Sequence, residues 1–145
     1  RSQVEQLVGM FTDFYADFDP AKAFEMLDAL HIARTAKLRT LSKGNKEKVQ
    51  LILAMARAPR LSLLDEPVGG VAPAARDYIL HPIISNYSKD ATVILSTHLI
   101  GDIEPVLDEA IFLKDGRVFA HRSVEELRET EGMSVDAYFR EVFKC

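Results

Sequence analysis

The feature that most constrains this chain is a short apolar run that ends abruptly in two carboxylates and a proline. Leu61 to Leu64 are followed by Asp65, Glu66 and Pro67. A brief apolar run bounded by turn residues predicts a buried strand, and Pro67 ends it because proline has no N–H for a sheet ladder. Ligands of parallel sheets bind at the carboxyl ends of strands. Two adjacent acids there suit a magnesium–phosphate site, although many buried strands simply end in an acidic turn.

The segments that follow this strand alternate between helices and strands. Residues 92–96 predict a second buried strand, with His98 just beyond its end, and residues 110–113 predict a third. Asp115-Gly116 is a hairpin turn signal that returns the chain antiparallel. Strands that alternate with helices predict an α/β fold with a parallel sheet, and the hairpin predicts an antiparallel strand at its edge.

Helices are predicted for most of the chain before the first strand. Apolar positions recur at helical spacing over residues 2–16, 20–31 and 42–58, which indicates helices with one apolar face. A further helix is predicted from Pro73 to about Tyr87.

Composition excludes several classes of protein. The chain has 145 residues, of which 48% are hydrophobic, so it can bury the core of one domain with subdomains. A net charge of −4 without a long basic run argues against nucleic acid as a partner. The one cysteine, Cys145, fits a reducing compartment, and no apolar run is long enough for a membrane span. Because the chain begins without methionine, in the middle of a predicted helix, we expect a piece of a longer protein.

The start of the helix at 42–58 has the residues of an anion site. Leu41 is followed by Ser42, Lys43 and Gly44. Unpaired N–H groups and the positive end of the dipole lie at a helix N-terminus, and glycine lets an anion approach the backbone. An ordinary capped helix has the same residues, and this segment alone favours that simpler explanation.

Taken together, these motifs resemble the nucleotide-binding domain of the ABC transporter ATPases. Residues 41–45 resemble the family signature, usually Leu-Ser-Gly-Gly-Gln, and residues 61–66 resemble its Walker B strand. Residues 68–72 occupy the position of the D-loop, and His98 that of the switch histidine. The resemblance covers nearly the whole chain. It implies a helical signature subdomain followed by the C-terminal half of a P-loop NTPase (RecA-like) parallel sheet with helices.

The resemblance also implies the cofactors, ATP and Mg²⁺, and the role of each site residue. Asp65 would hold Mg²⁺, mainly through water. Glu66 would be the general base or water-orienting group, and His98 would contact the γ-phosphate and hold Glu66 in place. The γ-phosphate of ATP in the opposite subunit would be bound by Ser42, Lys43, Gly44 and Asn45.

Two departures from the family pattern and one missing motif qualify the resemblance. Ala72 stands where the D-loop has aspartate, which puts hydrolysis or communication between sites in doubt, and Asn45 replaces glutamine. The phosphate-cradling motif G-x-x-x-x-G-K-[ST] is absent, because no lysine here is followed by serine or threonine. The family places the strand that leads into that loop between 92–96 and 110–113. We therefore expect a C-terminal piece that does not bind ATP by itself.

We divide the chain into a helical subdomain with the signature at 1–58, the Walker B, D-loop and switch-histidine half of the core at 59–122, and C-terminal helices at 123–145. Lys43 and the tail at 133–139 look most like bacterial exporter and drug-resistance ATPases. This implies an ATP-hydrolysing subunit that pairs with a second ATPase subunit and a membrane-embedded permease, at the cytoplasmic face of the cell membrane. A translation or DNA-repair ATPase of the same class, or a non-catalytic interaction module, remains the alternative.

Overall fold

The computed structural model describes residues 2–85 and 89–144. In chain order the elements are α1 (Val4–Phe14), α2 (Pro20–Ala29), α3 (Lys43–Met55), β1 (Leu61–Asp65), α4 (Pro73–Ser85), β2 (Thr92–Ser96), α5 (Ile100–Ile103), β3 (Glu109–Lys114), β4 (Arg117–Ser123), α6 (Val124–Glu126) and α7 (Val135–Val142). The predicted helix end near Tyr87, and Cys145, lie outside the described residues. No helix within them is both long and apolar enough to cross a bilayer.

Two compact units make up the chain, Arg1–His98 and Leu99–Cys145, and each is described by itself. The finer division at 1–58, 59–122 and 123–145 stays a prediction.

The first unit begins with three helices that bury their apolar faces together. Asp19 caps α2 by accepting a hydrogen bond from the N–H of Lys22, and Pro20 occupies the first helical position. The residues that these helices bury are Val4, Val8, Ala23, Met26, Leu27, Val49, Leu51, Ile52, Leu53 and Met55.

The helix predicted over 42–58 ends earlier, at Met55. Arg57 lies outside the helix, and its guanidinium donates to both carboxylate oxygens of Asp17, at 3.0 and 3.2 Å. Helices α1 and α2 are likewise shorter than predicted.

Strands β1 and β2 pair in parallel, as predicted, with Asp65 opposite Ser96. The prediction that both strands are buried is wrong for one face of the pair. Alternate side chains point to opposite faces of a sheet, and only one face is covered within the described residues. The uncovered face has Leu61, Leu63 and Ile94.

The second unit is built on a β-hairpin. β3 and β4 pair antiparallel around a turn in which Asp115 and Gly116 both have positive φ, +50° and +74°, the type I′ geometry that this dipeptide favours. The hairpin packs on a core of Ile100, Phe112, Val124, Leu127 and Val135.

The hairpin is therefore confirmed, whereas its predicted place at the edge of the parallel sheet stays a prediction. Among the described residues β1–β2 and β3–β4 form two separate two-stranded sheets. This separation agrees with the resemblance, which implies a strand between 92–96 and 110–113 that these residues do not supply.

Candidate active site

The carboxyl ends of β1 and β2 lie at one edge of the parallel pair and bring two acids and a histidine together. The N–H of Glu66 donates to the carbonyl of Ser96 at 2.8 Å, which continues the ladder one residue past β1. Two residues beyond Ser96, His98 meets the Glu66 side chain. The strand register therefore places Asp65, Glu66 and His98 side by side, as the sequence predicts.

Glu66 and His98 form a close pair. The backbone N–H of His98 donates to Oε1 of Glu66 at 3.1 Å, and Nδ1 of the ring lies 2.8 Å from the same oxygen. The His98 side chain is 75% exposed and that of Glu66 is 39% exposed. Because a carboxylate only accepts, the proton of this contact lies on Nδ1, which leaves Nε2 available to a ligand.

The pKa of Glu66 is held below its ordinary value, chiefly by the hydrogen bond from His98, while partial burial opposes this shift. Glu66 is therefore a carboxylate at neutral pH. A carboxylate of lowered pKa is a weak base. Glu66 is therefore better suited to orienting a water molecule than to retaining a proton taken from that water.

The backbone of Glu66 is strained. Its φ is +44°, a region that costs a residue other than glycine about 1–3 kcal/mol and that is common at functional sites. The turn that follows keeps it there, since the N–H of Gly69 donates to the carbonyl of Glu66 at 3.1 Å. Oε2 of Glu66 is buried and has no hydrogen-bond partner among the described residues.

Asp65 is held by the hydroxyl of Ser96, which donates a short hydrogen bond to Oδ1. No cluster of three or more His, Cys, Asp or Glu side chains in the described ranges could hold a metal by itself. Magnesium in nucleotide sites takes only one or two carboxylates, with phosphate oxygens and waters as its other ligands. Asp65 therefore fits Mg²⁺ as a single contributor.

The signature segment forms the N-terminus of α3. Oγ of Ser42 caps the helix by accepting from the N–H of Asn45 at 3.1 Å, and its own hydroxyl proton is still free to donate. In the part of the chain that the structure describes, the N–H groups of Lys43 and Gly44 have no acceptor. The Lys43 side chain is exposed, so these groups can meet an anion from solvent.

Comparison with known proteins identifies the family. No protein-family model matches the chain. It is 32% identical over 126 residues to the ABC transporter ATP-binding protein YtrB of Bacillus subtilis, an alignment that covers 86% of this chain and 43% of the relative. The chain belongs to the ABC transporter ATP-binding proteins. It spans about two fifths of the length of that relative.

Solved structures show that this ABC ATP-binding chain has the P-loop NTPase fold of the family's cassettes. An ATP-binding subunit of an ABC transporter matches 99% of the chain, and 63% of its own length, with a TM-score of 0.75 and 24% identity. MJ0796, a dimeric bacterial ABC transporter cassette, matches 84% of the chain and 56% of its own length, with a TM-score of 0.67 and 23% identity.

In this ABC chain the signature segment lies beside the turn that follows the two acids. A Cβ built on Gly44 would lie 3.9 Å from the carbonyl oxygen of Gly70. Within the described residues no hydrogen bond links residues 42–45 to the Glu66–His98 pair. Two candidate sites, the acid–histidine cluster and the N-terminus of α3, thus lie on either side of the turn at Gly70.

Sequence reasoning missed two residues of this region. Ser96 donates to Asp65 because the parallel register sets the two residues opposite each other, and the sequence predicts the two strands but not their register. The carboxylate of Glu47 packs against Gly70. The only sequence signal for this contact was the pair of adjacent glycines in the turn.

Proposed function

We propose that this chain supplies the water-activating residues of an ABC-type ATPase that drives a membrane exporter. The observation that carries the proposal is the Glu66–His98 pair at the carboxyl ends of β1 and β2, with the 2.8 Å contact between Oε1 and Nδ1. A fixed carboxylate at this edge can accept a hydrogen bond from a water and direct it at a γ-phosphate.

Each site residue has a role in this proposal. Asp65 binds Mg²⁺ mainly through water. Glu66 orients the attacking water and receives its proton, and the exposed imidazole of His98 contacts the γ-phosphate through Nε2. Bound Mg²⁺ supplies electrostatic stabilisation of the charge that develops on the phosphate. The anion site at the start of α3 binds the γ-phosphate of ATP in a second subunit through Ser42, Lys43, Gly44 and Asn45.

This arrangement requires partners. A second ATPase subunit places its own signature segment opposite these acids, and support comes from the dimeric cassette among the structural neighbours. The transporter name of the relative supports a membrane-embedded permease, and with it a position at the cytoplasmic face of the cell membrane. Ala72, exposed in the turn after β1, leaves the D-loop without its acid, and we propose that this weakens communication between the two sites.

Glu66→Gln tests the proposal in the full-length reading frame that carries this sequence. The amide keeps the size of the side chain but neither takes up a proton nor orients water in the same way. We expect ATP binding to persist, steady-state hydrolysis to decrease roughly 100-fold or more, and an ATP-bound dimer to accumulate in size-exclusion chromatography.

Glu125→Gln is the matched control, because Glu125 is exposed and lies in the second unit. It should hydrolyse ATP as the unchanged protein does. Hydrolysis by Glu66→Gln within about threefold of the unchanged protein would contradict the role of this residue, since loss of a general base costs roughly 100-fold or more.

A further inference from the structure

Ser96 contacts both acids of the site through different atoms. Its hydroxyl donates to Oδ1 of Asp65, and its carbonyl accepts the N–H of Glu66 at 2.8 Å. We propose that Ser96 is a positioning residue whose hydroxyl holds Asp65 ready for the metal of a metal–nucleotide complex. This inference rests on the proposed function.

The Ser96 hydroxyl holds the Asp65 carboxylate in one orientation, which a side chain at the exposed end of a strand otherwise does not have. Both Asp65 and Ser96 are exposed, so without a tether the carboxylate exchanges among rotamers and bonds to water. A charge-assisted hydrogen bond to one oxygen selects a rotamer, and the second oxygen stays available to a metal ion or to its water. Partners of this kind orient metal ligands, and their removal typically weakens metal affinity 10–100-fold.

The main-chain contact of Ser96 is independent of its side chain. The carbonyl of Ser96 accepts from Glu66 whichever residue occupies position 96, and this ladder contact supports the strained backbone of Glu66. A substitution of Ser96 therefore separates the two contacts, because it removes the tether of Asp65 and leaves the Glu66–His98 pair in place. This separation distinguishes a positioning role from a general role in holding the sheet together.

The test compares Ser96→Ala with Ser96→Thr in the full-length protein. The readout is the affinity of the ADP complex for Mn²⁺, measured by electron paramagnetic resonance without turnover. We expect Ser96→Ala to weaken Mn²⁺ binding about tenfold, whereas ADP affinity in the presence of EDTA stays unchanged. Ser96→Thr keeps a hydroxyl and tolerates the strand, so it should bind Mn²⁺ as the unchanged protein does.

Ser134→Ala is the matched control. Oγ of Ser134 caps α7 in the second unit by accepting from the N–H of Ala137, so its loss affects stability and should leave Mn²⁺ affinity unchanged. Unchanged Mn²⁺ affinity in Ser96→Ala, or failure of threonine to restore it, would overturn the positioning role. Failure of the proposed function has a different signature, namely normal hydrolysis by Glu66→Gln whatever the Mn²⁺ affinity of the Ser96 variants.

Discussion

At the scale of single residues, Glu66 keeps its charge through contacts that come from the end of β2. His98 donates to Oε1 from its backbone N–H, the His98 ring lies 2.8 Å from the same oxygen, and the carbonyl of Ser96 accepts the N–H of Glu66. The left-handed φ of Glu66 costs about 1–3 kcal/mol, which these contacts offset. A carboxylate held in this way has one defined orientation, which is what a water-orienting group needs.

His98→Ala should raise the pKa of Glu66, because the hydrogen bond from His98 is the largest cause of its lowered value. Since the pKa is lowered in the folded state, the stability that Glu66 contributes is complete above the ordinary value of 4.5 and is lost as the pH falls through the lower folded value. In the full-length variant that loss should occur at higher pH. Carbon-13 NMR titration of the Glu66 carboxyl measures the shift directly.

His121→Ala is the control for this titration. Nε2 of His121 lies 3.6 Å from Glu109 in the second unit, so the variant removes one imidazole and leaves the Glu66 pair intact. The midpoint of Glu66 should not move in this variant. An unmoved midpoint in His98→Ala as well would mean that the pair does not form in solution.

At the scale of elements, the turn after β1 packs against the first turns of α3. A Cβ on Gly70 would clash with Oε2 of Glu47, so the Glu47 side chain would have to move. Through this contact α3 packs against the turn that follows the two acids.

Gly70→Ala should displace the Glu47 carboxylate, whose atoms are the nearest to the position of the new Cβ. Because these atoms are the end of a flexible side chain that can rotate away, the free energy of unfolding of the full-length protein should change by no more than about 0.5 kcal/mol. Urea denaturation of the variant measures this change. A loss above about 1 kcal/mol that disappears in a Glu47→Ala background would show instead that the Glu47 side chain is held in place.

Gly9→Ala is the control for the Gly70→Ala measurement. Gly9 lies inside α1, and nothing lies within 4 Å of a Cβ built on it. Alanine is the better helix former by roughly 1 kcal/mol, so this variant should be more stable than the unchanged protein. A replacement that stabilises a helix and one that leaves the stability of a turn nearly unchanged distinguish an effect of helix propensity from a general effect of adding a methyl group.

Elements that are determined by neighbouring residues could be predicted from the sequence. The start of α2 at Pro20 and the Asp115-Gly116 turn appear where the sequence predicts them, because each depends on neighbours a few residues away. The ion pair that joins Arg57 to Asp17, forty residues away in the chain, could not be predicted from the sequence. Contacts over such distances leave no periodic signal.

The residues of the candidate site divide in the same way, into contacts that could be predicted from the sequence and contacts that could not. The resemblance implies that His98 holds Glu66, and the structure brings the two side chains together where the parallel strands end. The tether from Ser96 and the packing of Glu47 on Gly70 depend on side-chain rotamers and on the approach of two elements. Neither is encoded in residue type or spacing alone.

At the scale of the whole molecule, each sheet has one uncovered apolar face. An apolar run in the sequence predicts that a strand is buried but carries no information about what covers it. In the described residues large apolar side chains remain exposed on both sheets: Leu61, Leu63, Ile94, Ile111, Leu113, Val118 and Phe119. Parallel strands usually have both faces covered, and contiguous apolar patches are typical of surfaces that bind other polypeptide.

We therefore expect the 145-residue chain, produced by itself, to self-associate. Leu63 is 71% exposed and Leu113 is 68% exposed, and two-stranded sheets also have strand edges that can pair with another copy. The double variant Leu63→Lys, Leu113→Lys places one charge on each apolar face and should shift the chain towards monomer, whereas Gln50→Lys adds charge at an exposed position of α3 and should not. Sedimentation velocity over a wide concentration range measures both. A strictly monomeric unchanged chain, or a lysine double variant that associates as strongly as the unchanged chain, would show that these faces do not drive association.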